Sequence, residues 1–231
     1  MGANNIILTI GGGGFTHASD PELDDFCLRF VPEKPNLGYI GWANEDNEVR
    51  TNRFYDRFRD VAGSSSHLPQ GTSGSETREW LAGKHMVFLG GGNTASLIAA
   101  LSSDGLLAHF AAANVNGCVL AGVSAGGICW FDWILSDSDG RGYAPMQGLS
   151  LVCGGVCPHY SSEVARKPQF EAVVARRADG AAYAVDDGAC TVAINGEVKG
   201  YFSARDNSAA YRLTRQNGAV ASTRLPIFGS K

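Results

Sequence analysis

Gly122, Ser124 and Gly126 follow the apolar run Val119-Leu120-Ala121 and spell Gly-x-Ser-x-Gly. That spacing has a specific use. A serine at the tip of a sharp strand-to-helix turn has its hydroxyl lifted off the sheet. The residues two before and two after it then approach so closely that they must be small. Here both are glycine, and Ala125 and Gly127 are small as well. The same turn aims the Ala125 N–H, at a helix N-terminus, towards the place where an oxyanion would form. A glycine-rich chain produces this pattern by chance often enough. The apolar run before it and the helix-like Ile128-Cys129-Trp130-Phe131 after it favour a nucleophile over a solvated turn serine.

Serine is a weak nucleophile at neutral pH and needs a base. The histidines are His17, His67, His85, His109 and His159. Only His159 lies beyond Ser124; it follows an apolar run ending in Pro158, so it is expected just past a strand end. His85 and His109 read as structural, while His17, after the first glycine turn, could also approach the site. A carboxylate must then orient the imidazole. Asp186 and Asp187 close the next strand-like run, which would give the chain order Ser, His, Asp. Asp132, Asp137 and Asp139 would instead give Ser, Asp, His, the order of α/β-hydrolases. The residues alone leave this choice open.

The elements that must hold these groups are readable in outline. Strand-like runs cover 5–10, 37–42, 85–89, 117–122, 149–156 and 182–185. Helical periodicity marks 21–30, 50–62, 95–101 and 106–114, and a helix is expected from Gly126 to Trp133. Residues 63–77, rich in Gly, Ser and Thr, read as a loop with room for a short strand. Asn195-Gly196 between 191–194 and 197–201 reads as a two-residue hairpin turn, and 209–213 as a last strand. This order predicts an α/β protein with a mostly parallel sheet, helices on both faces and an antiparallel edge. Its 231 residues suit a single domain, 1–231.

Composition excludes several functions. The net charge is −4 and no basic run occurs, so neither nucleic acid nor an anionic membrane surface is expected as a partner. No apolar stretch approaches the ~18 residues of a membrane span, and the first residues lack a basic signal-peptide region. A cytoplasmic setting is expected. The six cysteines form no dense framework. Cys153, Cys157 and His159 have poor spacing for zinc, and no metal or other cofactor is expected. The 30 glycines, close to twice the usual ~7% share, cluster at Gly11–Gly14, Gly90–Gly92 and around Ser124, as if the loops gathered at one sheet edge. No P-loop lysine follows either glycine run.

Four segments together resemble the dipeptidase E and cyanophycinase family of serine peptidases. They are Gly-Gly-Gly-Asn-Thr (90–94), Gly-Val-Ser-Ala-Gly-Gly-Ile-Cys-Trp (122–130), Pro-His-Tyr (158–160) and Val-Asp-Asp-Gly (185–188). The resemblance implies a three-layer α/β/α sandwich akin to class I glutamine amidotransferases. It implies Ser124 as nucleophile and His159 as base; for the third member it allows Asp187 or an acid near Asp137 or Asp139, and Asp187 is chosen because its loop follows the strand after His159. It also implies oxyanion donors from the backbone of Ala125 and of Gly91 or Gly92. Dipeptidase E proper cleaves dipeptides that begin with aspartate and carries Gly-Glu-Thr-Arg after its Pro-His-Tyr. The matching region here is Arg166-Lys167-Pro168-Gln169-Phe170, so the arginine that would hold an aspartyl substrate's carboxylate is not in place, and Arg166, or Lys167 beside it, is the expected substitute cation. A small peptide is the expected substrate; a homodimer is compatible with the sequence. The rival readings are an esterase with Ser-Asp-His order and a non-catalytic small-ligand module of the same fold.

Overall fold

The computed structural model describes residues 4–177, 180–216 and 219–229. Its elements run β1 (Ile6–Ile10), α1 (Pro21–Leu28), β2 (Asn36–Ile40), α2 (Glu48–Phe58), β3 (Ser64–His67), α3 (Gly74–Leu81), β4 (Met86–Leu89), α4 (Thr94–Ser102) and α5 (Leu106–Val115). They continue with β5 (Val119–Val123), α6 (Ala125–Ile128), β6 (Phe131–Ser136), β7 (Ala144–Gln147), β8 (Val152–Cys157) and α7 (Arg166–Arg176). The chain closes with β9 (Ala182–Val185), β10 (Ala189–Ile194), β11 (Glu197–Ser203), β12 (Ala210–Gln216) and β13 (Ala219–Arg224).

The strands form two sheets, where a single sheet was expected. The first has the order β11-β10-β1-β5-β4-β2-β3, parallel from β1 to β3 and antiparallel at the β10–β11 edge. The second has the order β13-β12-β9-β8-β6-β7, with β6, β8 and β9 parallel and antiparallel strands on both sides.

The first sheet is the centre of a sandwich because its strands are apolar on both faces. Leu8, Ile10, Tyr39, Phe88 and Val123 pack with Phe26 of α1 and Phe54 and Phe58 of α2. Ile7, Val87, Leu89 and Leu120 pack on the other face with Leu97, Leu101 and Phe110 of α4 and α5. Helix α2 shows the amphipathic logic: Thr51, Phe54 and Phe58 are buried on one side, and the Asn47 side chain caps the Arg50 N–H at 3.2 Å. Helix α7 covers the second sheet through Phe170 and Val174 against Trp133, Leu135 and Ala184.

Two local differences from the sequence reading have clear causes. The helix expected from Gly126 to Trp133 stops at Ile128, and β6 begins at Phe131. Gly126 and Gly127 are poor helix formers, while Trp130 to Trp133 suits a strand. The freed carbonyls are taken up by a neighbouring segment: Leu149 N–H donates to Cys129 O, and the N–H groups of Leu151 and Val152 to Trp130 O. Within the expected loop 63–77, Ser73 and Glu76 form a reciprocal capping box that starts α3. The Asn195-Gly196 turn is as read, with φ of 52° and 80° at its two residues.

Candidate active site

The C-terminal ends of the parallel strands of both sheets meet at one edge. In the first sheet Ile10 pairs with Val123 and Leu89 with Gly122, so the loops after β1, β4 and β5 emerge side by side. In the second, Cys157 pairs with Ala184, so β8 and β9 deliver His159 and Asp187 to one level. The chain then crosses into the first sheet as β10. At the crossing, Asp187 forms a parallel bridge with Gly12, and the Gly188 N–H donates to Gly12 O at 2.8 Å.

Ser124 sits between β5 and α6 with φ 50° and ψ −123°, a conformation costing on the order of 1–3 kcal/mol for a residue with a Cβ. The surroundings hold it there. Its N–H donates to Ile10 O at 2.9 Å, and its carbonyl accepts from Gly127 and Ile128. A Cβ on Gly122 would stand 2.3 Å from Gly126 O, and one on Gly126 would stand 2.2 Å from Leu89 O. Both glycines of the Gly-x-Ser-x-Gly run are thus demanded by close backbone approach.

His159 also has positive φ, 51°. Its Nε2 lies 2.9 Å from Ser124 Oγ and its Nδ1 2.6 Å from Asp187 Oδ1. Burial acts to raise the Asp187 carboxyl pKa. The bond to His159, the Ser162 hydroxyl and the charges of His159 and Arg205 outweigh burial and leave it below the ordinary carboxylate value. Asp187 is therefore ionised at neutral pH and can only accept. The proton on Nδ1 follows, which leaves the Nε2 lone pair to accept from Ser124 Oγ–H.

Three of the four competing carboxylates are occupied elsewhere. Asp186 is buried and accepts from Ser161 Oγ at 2.6 Å and from the Ala209 N–H at 3.0 Å, which ties β9 to the start of β12. Asp132 accepts from the Gly154 N–H at 2.7 Å, and Asp139 pairs with Arg141 on the β6–β7 loop. Neither Asp137 nor Asp139 hydrogen-bonds His159.

Gly91 lies against the elbow: a Cβ on it would be 3.2 Å from Ser124 Cβ. Among the described residues the N–H groups of Gly91, Gly92 and Ala125 have no protein hydrogen-bond partner. They are the donors expected for an oxyanion.

Arg166 is a correction. The sequence reading made it the free cation that would hold a substrate, yet it is 6% exposed. Its Nε donates to Glu163 Oε2 at 2.7 Å, and its guanidinium lies 4.7 Å from the centre of the Tyr143 ring. Glu163 in turn accepts from Tyr143 Oη. The guanidinium is spent inside this cluster and does not present itself to a ligand.

Two features at the site were not readable from residue types. Gly12 leaves the space that Asp187 and His159 occupy: a Cβ there would be 2.1 Å from Asp187 Oδ1 and 2.8 Å from His159 Nδ1. Arg50 and Asn44 both donate to Gly91 O. His17 stands edge-on to His159 with ring centres 6.4 Å apart, as its place after the first glycine turn allowed. Among the described residues no group of three or more His, Cys, Asp or Glu side chains is placed to hold a metal ion. No single described helix is long and apolar enough to cross a membrane. A cavity of about 690 Å³ lies at β12 and β13 beside Tyr183, Arg212 and Arg224 and includes none of these site residues.

The chain is similar to known peptidases. An uncharacterized peptidase of Bacillus subtilis, YgaJ, is 32% identical over 224 residues, covering 96% of this chain and 97% of its own. A peptidase from an acI-B1 actinobacterium shares the fold with a TM-score of 0.76 at 15% identity, over 98% of this chain and 96% of that one. A putative peptidase E from Listeria monocytogenes aligns with a TM-score of 0.57 at 15% identity, over 98% of this chain and all of that one. The sequence model of peptidase family S51 matches residues 7–200. The chain belongs to peptidase family S51, the dipeptidase E family, and is a serine-type peptidase.

Proposed function

We propose that this peptidase hydrolyses short peptides by acyl transfer, with Ser124 as nucleophile, His159 as general base and Asp187 as the carboxylate that orients it. The observation that carries the reading is the pair of hydrogen bonds on one imidazole, 2.9 Å to Ser124 Oγ and 2.6 Å to Asp187 Oδ1. His159 Nε2 takes the Oγ proton as Oγ attacks the scissile carbonyl. Asp187 stabilises the imidazolium that results. The N–H groups of Ala125 and of Gly91 or Gly92 receive the oxyanion. The amine leaves with the proton from His159, and water then repeats the sequence on the acyl-enzyme.

Ser-His-Asp order is favoured over the esterase order because the carboxylates between Ser124 and His159 hydrogen-bond elsewhere or not to the imidazole. A preference for amino-terminal aspartate is not part of the proposal, since Arg166 is held by Glu163.

The test is a fluorophosphonate probe with peptide mapping, alongside a dipeptide library. The expected result is labelling at Ser124, dipeptide cleavage by the wild type, and a loss of ~10³-fold or more in Ser124→Ala and His159→Ala. Peptidase activity surviving in purified Ser124→Ala protein would end the proposal. Labelling without cleavage of any dipeptide would retain the nucleophile and remove the substrate class.

A further inference from the structure

We propose that Arg50, with Asn44, is a positioning residue for the oxyanion site: the two side chains clamp the Gly91 carbonyl and so aim and polarise the N–H of Gly92. The inference rests on the Ser124 reading above.

Arg50 Nη1 donates to Gly91 O at 2.7 Å, and Asn44 Nδ2 donates to the same oxygen at 3.0 Å. A carbonyl oxygen has two lone pairs, and these two donors take up both. The Gly91–Gly92 peptide is trans and planar, so its N–H points opposite to its C=O. Holding the oxygen on the Asn44–Arg50 side therefore turns the Gly92 N–H the other way, and that N–H has no protein partner among the described residues.

The rest of the loop is anchored as well. Gly92 has φ 149°, and a Cβ on it would be 2.0 Å from Ala43 O; the Asn93 N–H donates to that same oxygen at 2.7 Å. On its other side, Gly91 abuts the Ser124 elbow, 3.1 Å from Val123 O by the same measure. The peptide plane is thus fixed between two backbones, with one freedom left, rotation about its own axis. The clamp removes it.

Arg50 has no carboxylate within ion-pair distance among the described residues, although it is half-buried on α2. Its charge falls on a backbone oxygen instead. A cation on the C=O of an amide polarises the N–H of the same amide and strengthens it as a donor. That strengthening matters most when negative charge sits on the substrate oxygen. The effect belongs to the transition state, so it should appear in the rate and leave binding nearly unchanged.

The experiment measures fluorophosphonate inactivation of the full chain, resolved into a limiting rate constant and a half-saturation concentration. The phosphoryl oxygen of the probe occupies the oxyanion site during attack. Arg50→Met should lower the limiting rate constant ~10-fold or more, below the ~10²–10³ of losing a donor outright, with half-saturation shifted less than ~3-fold. Arg50→Lys should recover part of the loss. Asn44→Ala, a milder change on the same oxygen, should lower the rate several-fold with a native melting curve, and Glu48→Gln on the same helix should have no effect. Wild-type rate constants in both Arg50→Met and Asn44→Ala would overturn the clamp while leaving Ser124 in place. A loss confined to half-saturation would overturn it too. A wild-type enzyme that the probe does not modify would remove the serine reading and the clamp with it.

Discussion

Gly12→Ala adds one methyl group at the position where Asp187 and His159 meet, in surroundings too closely packed to absorb it. The new Cβ would lie 2.1 Å from Asp187 Oδ1, 2.8 Å from its Cγ and 2.8 Å from His159 Nδ1. Ordinary contact needs more than 3 Å, so the carboxylate must retreat by about 1 Å. It has little room: the Asp187 carbonyl accepts from Ser208 Oγ at 2.6 Å, and its neighbour Gly188 is tied to Gly12 O. Cβ presses on both partners of the 2.6 Å bond from one side, so as the carboxylate retreats the bond lengthens or breaks, and the imidazole loses the group that sets its tautomer. A misplacement of this size costs ~10² in rate, and full loss of the carboxylate's role ~10⁴. The expected loss in turnover lies between those limits. The assay is probe inactivation and dipeptide turnover, with melting temperature recorded in parallel. Turnover within threefold of wild type in a folded Gly12→Ala protein would show that the Asp187–His159 contact does not govern the rate.

Other consequences are more quickly stated. Asp187→Asn should lower turnover ~10³–10⁴-fold with a near-native melting temperature, whereas Asp186→Asn, which loosens the ties to Ser161 and to the start of β12 without touching the imidazole, should lower the melting temperature and leave most of the turnover; paired kinetics and calorimetry check this. Arg166→Met should cost roughly 2–3 kcal/mol in urea unfolding, because its partner Glu163 keeps some contact with water, and should leave the half-saturating dipeptide concentration unchanged. Asp24 gives a pH signature. Burial pushes its carboxyl up to about 6, against the opposing Phe15 N–H and Arg57. The folded state then holds a proton that the unfolded state has released above pH ~4, so stability falls as pH rises from about 4 to 6. Denaturant unfolding between pH 4.5 and 7 should show this slope in the wild type and lose it in Asp24→Asn; an unchanged slope would contradict the assignment.

The site was legible where chemistry imposes a residue type. Gly-x-Ser-x-Gly announces a cramped turn because no other residues fit, and the structure places a Cβ on either glycine within 2.3 Å of backbone. His159 was identifiable as the only histidine after the serine. Asp187 was separable from Asp186 only by resemblance, since strand alternation sends adjacent carboxylates to opposite sides but does not say which side holds the imidazole. Arg166 misled for a related reason. A cation at the right distance in sequence says nothing about whether an acid three residues earlier has already claimed it, as Glu163 has.

What escaped the sequence is what depends on a partner far along the chain. Asn44 and Arg50 reach Gly91 across more than 40 residues, and nothing in Asn44 or Arg50 marks either as more than a surface residue of a loop and a helix. The second sheet was hidden in the same way. Apolar strands of four to six residues look alike whichever sheet they join, and β6 is held as a strand by β7 and β8, which pair with it on either side. Yet this division gives the site its geometry. One sheet carries Ser124 and the glycine loops, the other carries His159, and the chain passes between them at Asp187. The strained φ of both Ser124 and His159 is then intelligible: each stands at the rim of a different sheet, and each backbone must bend out of its strand for the two side chains to meet.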